Sequence, residues 1–328
     1  LAERVAERVL NGLRSPFAVG GRRITIQATI GLAYSTGAED SEAMLRLADV
    51  AMHAAKRAGK GQVLRYSEEH RGAGVQDLEL RAEFRQDLER DQLQLVYQPI
   101  VDLATRRTVG LEALLRWDHP SRGLLTPDRF LHLADNAELS GRLAGWVLRE
   151  AARQARVLIV AGRPLWISVN LSPRQLGHPD LVSAVRGAVD AARIDPRSIV
   201  LEITEHGVMQ DIEATAEALR RLKEVGIRIA IDDFGTGYSS LSYLAHLPLD
   251  ILKIDRSFIT AINRSEQDRA LVQAVTDLAA SLGLQVIAEG IEEVGQLGTL
   301  RTMPIELGQG YLLSRPLAPE ALAGWLDS

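Results

Sequence analysis

The sequence predicts an α/β protein built around a TIM-type (β/α)8 barrel with an antiparallel first strand, preceded by a smaller, partial α+β unit. From Leu93 onward, eight strand-like apolar runs recur, and helix-like segments fill most gaps after the second run. That alternation is typical of a parallel barrel. Only Val101–Arg107 separates the first two runs, which is too short for a parallel crossover, so these two strands should be antiparallel.

The bulk composition excludes several classes of protein. The chain has 328 residues, enough for two domains or one large barrel with an appendage. A formal net charge of −5 argues against a binder of nucleic-acid polymers. The lack of cysteine excludes disulfides, thiolate zinc sites and cysteine nucleophiles, and fits a reducing compartment.

No apolar run approaches the roughly 20 residues that span a bilayer, so we expect no membrane contact from this segment. We therefore expect a cytoplasmic domain. The chain begins at Leu1, inside a helix-like segment and not at a Met, from which we expect further sequence upstream. Membrane tethering of the full-length protein through that sequence is left open.

Residues 1–66 are predicted to form a small unit with too few apolar residues for a complete core. Its predicted elements are a helix over Leu1–Asn11 closed by Gly12, a hairpin of Pro16–Val19 and Arg23–Tyr34 around Gly20-Gly21, a helix from Asp40 or Ser41 to Ala58, and a strand over Gln62–Tyr66. The unit therefore resembles half of a domain.

Residues 67–92 are predicted to link this unit to the barrel of residues 93–328. The glycines around Gly72 indicate a break, and Leu78–Arg90 is predicted to be a charged helix with a narrow apolar stripe. We place the domain boundary near Gly72.

The barrel elements follow from the periodicity of apolar residues. The predicted strands are Leu93–Ile100, Thr108–Trp117, Leu165–Asn170, Ile199–Thr204, Ile227–Ile231, Ile251–Ile254, Gln285–Ala288 and, more weakly, Ile305–Leu312. The predicted helices are Pro127–Asn136, Arg142–Ala161, Pro179–Ala192, Ile212–Val225, Arg269–Leu282 and Val294–Leu300.

Polar residues at the carboxyl ends of these strands should meet at one mouth of the barrel, where barrel enzymes carry their chemistry. They are Glu112, Asn170, Glu202, the adjacent Asp232 and Asp233, Lys253, Asp255 and Glu289. One amide and four carboxylates among the first five favour Mg²⁺ or Mn²⁺ over zinc, and suit two cations about 3.5–4 Å apart. A ring of structural salt bridges is the alternative.

A series of motifs in this region resembles the EAL domain, the cyclic di-GMP phosphodiesterase family. The similarity covers about Tyr97 to Leu317. The motifs are EALLRW (Glu112–Trp117), SVNLS (Ser168–Ser172), LEITE (Leu201–Glu205), DDFGTGYSSL (Asp232–Leu241), LKIDRSF (Leu252–Phe258), AEGIE (Ala288–Glu292) and GQGYLLSRPL (Gly308–Leu317). No glycine-rich ATP loop or HRD triplet accompanies the DFG triplet, which argues against a protein kinase.

The resemblance implies a role for each matching position. The ligands of the first metal would be Glu112, Asn170, Glu202 and Asp232, and Asp233 would bridge to a second metal. Lys253 would contact the attacking water, Glu289 would hold the second metal or act as general base, and Glu205 would anchor the DDFGTGYSS loop. Arg116 would contact the substrate phosphate, and the nucleotide or water network would be lined by Gln98, Asp255 and Gln309. Alternatively, Arg116 pairs with an acid, Asp255 caps a strand end, and Gln309 satisfies backbone groups only.

The N-terminal unit resembles the C-terminal half of a GGDEF (diguanylate cyclase) domain through ITIQATIGLAY and LADVAMHAAKRAGKG. His53 stands where that family usually has Tyr, and Lys56 and Lys60 fall at its phosphate-contacting positions. The GGDEF signature and the family's metal-binding Asp are absent from the sequence. This unit therefore cannot form a cyclase active site.

The resemblance implies hydrolysis of cyclic di-GMP to linear pGpG, dependent on two Mg²⁺ or Mn²⁺ ions, and a homodimer formed through the EAL domain. The alternative is a catalytically silent module that binds cyclic di-GMP as a sensor. Such sensors usually lack a metal ligand, and here every ligand position is filled. A third reading is the phosphodiesterase half of a bifunctional protein.

Overall fold

The computed structural model describes residues 2–14, 17–19, 22–24, 28–35, 40–57, 61–67, 79–90, 92–134, 136–209, 211–235 and 244–327. The chain divides into two compact units, Leu1–Gln86 and Asp87–Ser328. This division falls within the predicted linker 67–92, whereas Gly72 lies outside the described residues. Within the described ranges, no helix has both the length and the apolar character that crossing a bilayer requires.

The first unit contains short strands and amphipathic helices. Its elements are α1 (Ala2–Arg14), β1 (Phe17–Val19), β2 (Arg22–Ile24), β3 (Ile30–Leu32), α2 (Ser41–Arg57) and β4 (Val63–Arg65), followed by helix 79–87, here α3. The hairpin is confirmed, since β1 pairs antiparallel with β2. Its glycine turn lies outside the described residues, as do Lys60 and the side chains of His53 and Lys56.

Two predictions for this unit are wrong. Helix α1 continues through Gly12 to Arg14, and Leu13 beyond the glycine is still partly buried. The predicted strand Arg23–Tyr34 is two strands in different sheets: β2 pairs with β1, whereas β3 pairs parallel with β4. The helix cap is confirmed, because the backbone N–H of Ala43 donates to Oδ1 of Asp40 at 2.7 Å.

The second unit is a closed barrel of eight strands, which confirms the predicted fold class. The strands are β5 (Leu93–Asp102), β6 (Thr108–His119), β8 (Trp166–Leu171), β9 (Ile199–Thr204), β10 (Arg228–Phe234), β11 (Ile251–Ile254), β12 (Gln285–Ala288) and β13 (Leu307–Gly308), with β7 (Gly123–Leu125) added to β6. β5 is antiparallel to both of its neighbours, β6 and β13, as predicted for the first strand. The pairs from β6 through β8 to β13 are parallel.

Helices surround this barrel. They are α4 (Pro127–Phe130), α5 (Ala137–Val160), α6 (Pro173–Leu176), α7 (Leu181–Ala192), α8 (Glu205–Met209), α9 (Ile212–Val225), α10 (Arg256–Ala261), α11 (Glu266–Ser281), α12 (Val294–Leu300) and α13 (Pro319–Leu326), with 3-10 turns over Leu131–Leu133 and Pro196–Ser198.

Two elements of the barrel are shorter in the structure than the sequence predicts. The predicted strand Ile305–Leu312 pairs only over Leu307–Gly308, because the chain then turns so that Gln309 reaches into the barrel and contacts Gln98. The predicted helix Pro127–Asn136 is a single α-turn followed by a 3-10 turn. The short helices α6, α8, α10 and α13 were not predicted.

The lower part of the barrel is filled by an apolar layer. Alternate residues of the strands point inward. This layer contains Ile100, Val200, Ala230, Ile251, Ile287 and Leu307, with Trp166 packed against it. Gly110 gives the Trp166 ring its space, since a β-carbon there would lie 2.3 Å from the ring. Glu202, Asp232 and Lys253 each follow a member of this layer by two positions on the same strand, so they lie next to an apolar region of low dielectric constant.

Candidate active site

The barrel brings the predicted polar residues together at its carboxyl end. Seven of the predicted site residues are at most 8% exposed: Gln98, Glu112, Glu202, Glu205, Asp232, Lys253 and Gln309. Their positions follow from strand register, since Gln98 lies opposite Glu112 across β5 and β6, and Asn170 lies beside Glu202 across β8 and β9. The regular alternation of side chains thus converts scattered strand ends into one cluster.

Lys253 is the centre of this cluster. Its Nζ lies 2.6 Å from Oε1 of Glu289 and 2.7 Å from Oε2 of Glu202. Oδ1 of Asp232 is 3.3 Å away and Oε2 of Glu112 is 3.7 Å away. One ammonium group thus faces four carboxylates, so the cluster has an excess of negative charge.

The pKa values of the cluster reflect burial and this charge imbalance. Burial favours the neutral form of Lys253, but attraction by the four carboxylates raises its pKa well above its usual value. Burial raises the pKa of Glu289 to about 8, and the nearby Asp232 and Glu112 act in the same direction. Burial also raises the pKa of Glu202 well above its usual value, against the attraction of Lys253.

Glu112 differs from the other two glutamates. Burial acts to raise its pKa, but the attraction of Lys253 and the hydrogen bonds from Gln309 and Asn170 together lower it. Nδ2 of Asn170 donates to Oε1 of Glu112 at 2.8 Å. Nε2 of Gln309 donates both to Oε2 of Glu112 and, at 3.0 Å, to Oε1 of Gln98. Glu112 is therefore held as a carboxylate.

The donor set fits oxygen-binding divalent cations. Asp232, Asp233 and Glu289 each offer a carboxylate oxygen, and these oxygens lie within 4.8 Å of one another. Oε1 of Glu202 is buried and has no hydrogen-bond partner among the described residues. A buried carboxylate oxygen without a partner is costly unless a cation binds it. Hard oxygen ligands without His or Cys are the set that Mg²⁺ and Mn²⁺ take.

Asp233 is held in a strained backbone conformation. Its φ is +54°, in the left-handed region that few residues other than glycine adopt. The register of β10 shifts at this point, between Ile231 and Phe234. Burial and the neighbouring Asp232 raise the pKa of Asp233. Strain of this kind persists where the surrounding structure enforces it, often at functional sites.

Glu205 holds the start of the loop that follows Asp233. Oε2 of Glu205 accepts a hydrogen bond of 2.7 Å from the backbone N–H of Gly235. Gly235 has a φ of +99°, and a β-carbon there would lie 2.6 Å from the ring of Phe258. The anchoring role that the resemblance implies for Glu205 stays a prediction, and this hydrogen bond to the loop is the contact that supports it. The rest of the glycine loop, residues 236–240, lies outside the described residues.

The remaining predicted residues, Asp255, Arg116 and Gln309, make separate contacts. Asp255 caps α10, with Oδ1 accepting from the backbone N–H of Ser257 at 3.0 Å and from its hydroxyl. Arg116 is half-buried, and its Nη1 donates to the carbonyl of Leu115 at 2.7 Å. Gln309 contacts side chains of the cluster, so it does more than satisfy backbone groups.

Sequence reasoning missed the supports of this cluster. Nε2 of Gln98 donates to the carbonyl of Ser314 at 3.0 Å, which ties β5 to the turn after β13. Phe258 fills the space beneath Gly235. Gln98 was predicted as a site residue and Phe258 belongs to a quoted motif, but only the folded chain shows what they contact.

Comparison with known proteins identifies both units. The family model described as "EAL domain" matches residues 81–316, and that described as "Diguanylate cyclase, GGDEF domain" matches residues 1–62. The cyclic di-GMP phosphodiesterase NbdA of Pseudomonas aeruginosa is 43% identical over 98% of this chain. The bifunctional diguanylate cyclase/cyclic di-GMP phosphodiesterase MucR of the same organism is 39% identical over 98% of this chain. The chain spans only 41% and 47% of the lengths of these two relatives.

Solved structures show the same barrel. The PaMucR phosphodiesterase in complex with c-di-GMP is 44% identical, with a TM-score of 0.71 over 74% of this chain and 99% of that one. The EAL enzyme Bd1971 in its cAMP- and cyclic-di-GMP-bound form is 29% identical, with a TM-score of 0.73 over 88% of this chain and 77% of that one. The FimX EAL domain from Pseudomonas aeruginosa bound to c-di-GMP is 26% identical, with a TM-score of 0.66 over 73% and 96%.

Proposed function

This chain belongs to the EAL domain family, and on that premise we propose that it hydrolyses cyclic di-GMP to linear pGpG with the help of Mg²⁺ or Mn²⁺. The observation that carries the proposal is the buried Lys253 surrounded by Glu112, Glu202, Asp232 and Glu289. Such a cluster lowers the stability of the folded state, because each buried carboxylate without a cationic partner costs free energy. It is suited to holding cations against an anionic substrate.

Two groups of residues would hold the cations. Glu112, Glu202, Asp232 and the amide oxygen of Asn170 would hold the first, and Asp233 and Glu289 the second. In the described geometry the amide nitrogen of Asn170 faces Glu112, so Asn170 would have to turn its amide to present oxygen. When bound, the cations lower the pKa of a water molecule and neutralise charge on the phosphoryl oxygens.

The reaction adds one water molecule across one phosphodiester bond. The water oxygen bonds to phosphorus in line with the departing 3′ oxygen, the P–O3′ bond breaks, and the linear product carries a 5′-phosphate and a free 3′-hydroxyl. The proton of the water would pass to Glu289, whose Oε1 lies 2.6 Å from Nζ of Lys253. Lys253 places a positive charge beside the reacting oxygens, and Arg116 offers its guanidinium to the phosphate.

The experiment is product analysis by chromatography after incubation with cyclic di-GMP and Mg²⁺ or Mn²⁺. We expect pGpG from the wild type and none from Asp232→Asn, which keeps the size of the side chain but removes its charge. Asp277→Asn is the matched control, because Asp277 is exposed on α11, where it accepts a hydrogen bond from Gln273 at 2.8 Å. Absence of pGpG with the wild type would refute the proposal.

The alternative function is a sensor that binds cyclic di-GMP without cleaving it. Retention of every predicted metal-ligand position supports hydrolysis over this alternative. The homodimer stays a prediction, which light scattering across the working concentration range would test.

A further inference from the structure

Asp87 is a buried carboxylate outside the acidic cluster. It is the last residue of α3, belongs to the barrel unit and is 7% exposed. Burial of a carboxylate costs free energy, and a negative charge at the carboxyl end of a helix is unfavourable, because that end carries a partial negative charge. An apolar side chain at this position would avoid both costs. The presence of a carboxylate here therefore points to a role for its contacts.

The side chain of Asp87 holds the indole of Trp117. Nε1 of Trp117 donates to Oδ2 of Asp87 at 3.0 Å, and Trp117 is fully buried. The indole packs edge-on against Phe130, with ring centroids 5.5 Å apart, and its centroid lies 4.8 Å from that of His119. The backbone carbonyl of Asp87 accepts from the N–H of Gln92 at 3.2 Å. Asp87 thus joins the turn before β5 to the end of β6.

Arg116 lies in a part of β6 that has a neighbouring strand on one side only. β6 pairs with β8 from Gly110 to Ala113 and with β7 from Trp117 onward, so among the described residues the three between Ala113 and Trp117 pair with β5 alone. Trp117 itself pairs with both β5 and β7. The anchored Trp117 therefore fixes one end of the segment that carries Arg116.

The two faces of β6 separate the anchor from the site. Successive residues of a strand point to opposite faces, so Arg116 shares the inner face with Glu112, whereas Trp117 packs on the outer face against Phe130. A guanidinium group must be correctly oriented to offer two parallel N–H groups to a phosphate. A displacement of about 1 Å at such a residue can cost as much as 100-fold in rate. The position of Trp117 therefore matters for what Arg116 can bind.

Resting on the proposed function, we infer that Asp87 is a positioning residue for Arg116. By holding the indole of Trp117, it fixes the backbone from which the guanidinium of Arg116 reaches a phosphate of cyclic di-GMP. Asp87 itself does not touch the substrate, because the indole that it holds is on the outer face of β6. Loss of Asp87 should therefore weaken binding of substrate and product, and it should do so only while Arg116 is present.

The test compares Asp87→Ala with Asp87→Asn. Alanine removes the acceptor of the Trp117 indole, whereas asparagine keeps an acceptor oxygen without the charge. A hydrogen bond to a charged group contributes about 10- to 150-fold in affinity, and a displaced Arg116 should forfeit part of it. We expect Asp87→Ala to raise KM for cyclic di-GMP by about 5- to 30-fold with little change in kcat, and to weaken binding of pGpG in calorimetry by a similar factor. Asp87→Asn should stay within about threefold of the wild type in both measurements.

The decisive measurement repeats Asp87→Ala in an Arg116→Gln background. If Asp87 acts through Arg116, its removal should change the KM of Arg116→Gln by less than about twofold. Trp117→Phe keeps an aromatic ring but lacks the indole N–H, so it breaks the same contact from the other side and provides a second test if Asp87→Ala unfolds. It should raise KM as Asp87→Ala does, and the effects of the two substitutions should not add.

Thr276→Val is the matched control for loss of a buried hydrogen bond. Thr276 is fully buried, and its Oγ1 donates to the carbonyl of Val272 at 2.8 Å within α11, in the helical layer around the barrel. The substitution removes a hydrogen bond from the interior without touching β6. It should lower stability in urea and leave KM and pGpG binding unchanged.

Three results would overturn the inference, and they separate it from the proposed function. If the wild type cleaves cyclic di-GMP and the folded variants Asp87→Ala and Trp117→Phe keep its KM and its affinity for pGpG, the inference fails and the proposed function stands. If Asp87→Ala raises KM equally with and without Arg116, Asp87 acts by another route and only the inference fails. If the wild type neither binds nor cleaves cyclic di-GMP, both fail together.

Discussion

The substitution Glu289→Gln tests whether burial among like charges governs the acidic cluster. In the cation-free protein, the pKa of Glu289 is raised from its ordinary 4.5 to about 8. Between these two values the folded state retains a proton on Glu289 that the unfolded state has lost. The contribution of this carboxyl to stability is therefore present below pH 4.5 and is lost as pH rises to about 8. Glutamine cannot ionise, so the variant does not lose this contribution to stability as pH rises.

The shift fixes the size of the effect. Each pKa unit corresponds to about 1.4 kcal/mol, so the 3.5-unit shift gives an upper limit of about 5 kcal/mol. Because the side chain of Glu289 is 17% exposed, solvent screening will reduce this value. We expect the free energy of unfolding of Glu289→Gln, relative to the wild type, to rise by several kcal/mol from pH 4.5 to pH 8 and then to level off.

Urea unfolding in EDTA, followed by tryptophan fluorescence at several pH values, measures this difference. Trp117, Trp146, Trp166 and Trp325 all lie in the barrel unit, so their fluorescence reports that unit alone. Saturating Mn²⁺ should abolish the wild-type loss, because a cation favours the ionised carboxylate. Parallel pH profiles for the two proteins in EDTA would refute the reasoning.

Three further predictions follow from single contacts. Glu205→Ala removes the hydrogen bond to Gly235 and should lower kcat by about 10- to 100-fold, whereas Glu205→Gln, which keeps an acceptor oxygen, should retain most activity in the same assay. Gly310→Ala should lower stability in urea by about 1–3 kcal/mol or more, because its β-carbon would overlap Ile291, whereas Gly298→Ala has open space in a helix and should stabilise by about 0.5–1 kcal/mol. Mn²⁺ at 100 times its Kd should raise the free energy of unfolding of the wild type by about 2.7 kcal/mol, and an unchanged melting temperature would contradict the cation site.

The barrel was predictable because its strands carry a strong local signal. Runs such as Ile251–Ile254 and Gln285–Ala288 were predicted with the bounds that the structure shows. Because the parallel strands of a barrel direct their carboxyl ends to one mouth, the positions of Glu202, Asp232 and Lys253 followed from strand ends alone, whereas Glu112 lies in the middle of the longer β6. The periodicity of apolar residues, together with the rule that parallel strands end at one mouth, was sufficient to predict the barrel.

Other features depend on tertiary contacts that no local pattern contains. The segment Ile305–Leu312 has the composition of a strand, yet the hydrogen bonds of Gln309 turn the chain after Gly308. The left-handed conformation of Asp233 was not predictable locally, because aspartate adopts it more often than most other side chains but only where the surrounding structure requires it. The sequence also placed Lys253 at the mouth without showing that it contacts four carboxylates.

The central claim is that the acidic cluster holds divalent cations for hydrolysis of cyclic di-GMP. The most direct measurement is the rate of pGpG formation by the wild type with Mn²⁺ and after removal of cations by EDTA, with nucleotide binding measured on the same samples. We predict turnover that requires Mn²⁺ and returns when the cation is restored. Tight binding of cyclic di-GMP with no pGpG at any Mn²⁺ concentration would contradict the claim and identify the chain as a sensor.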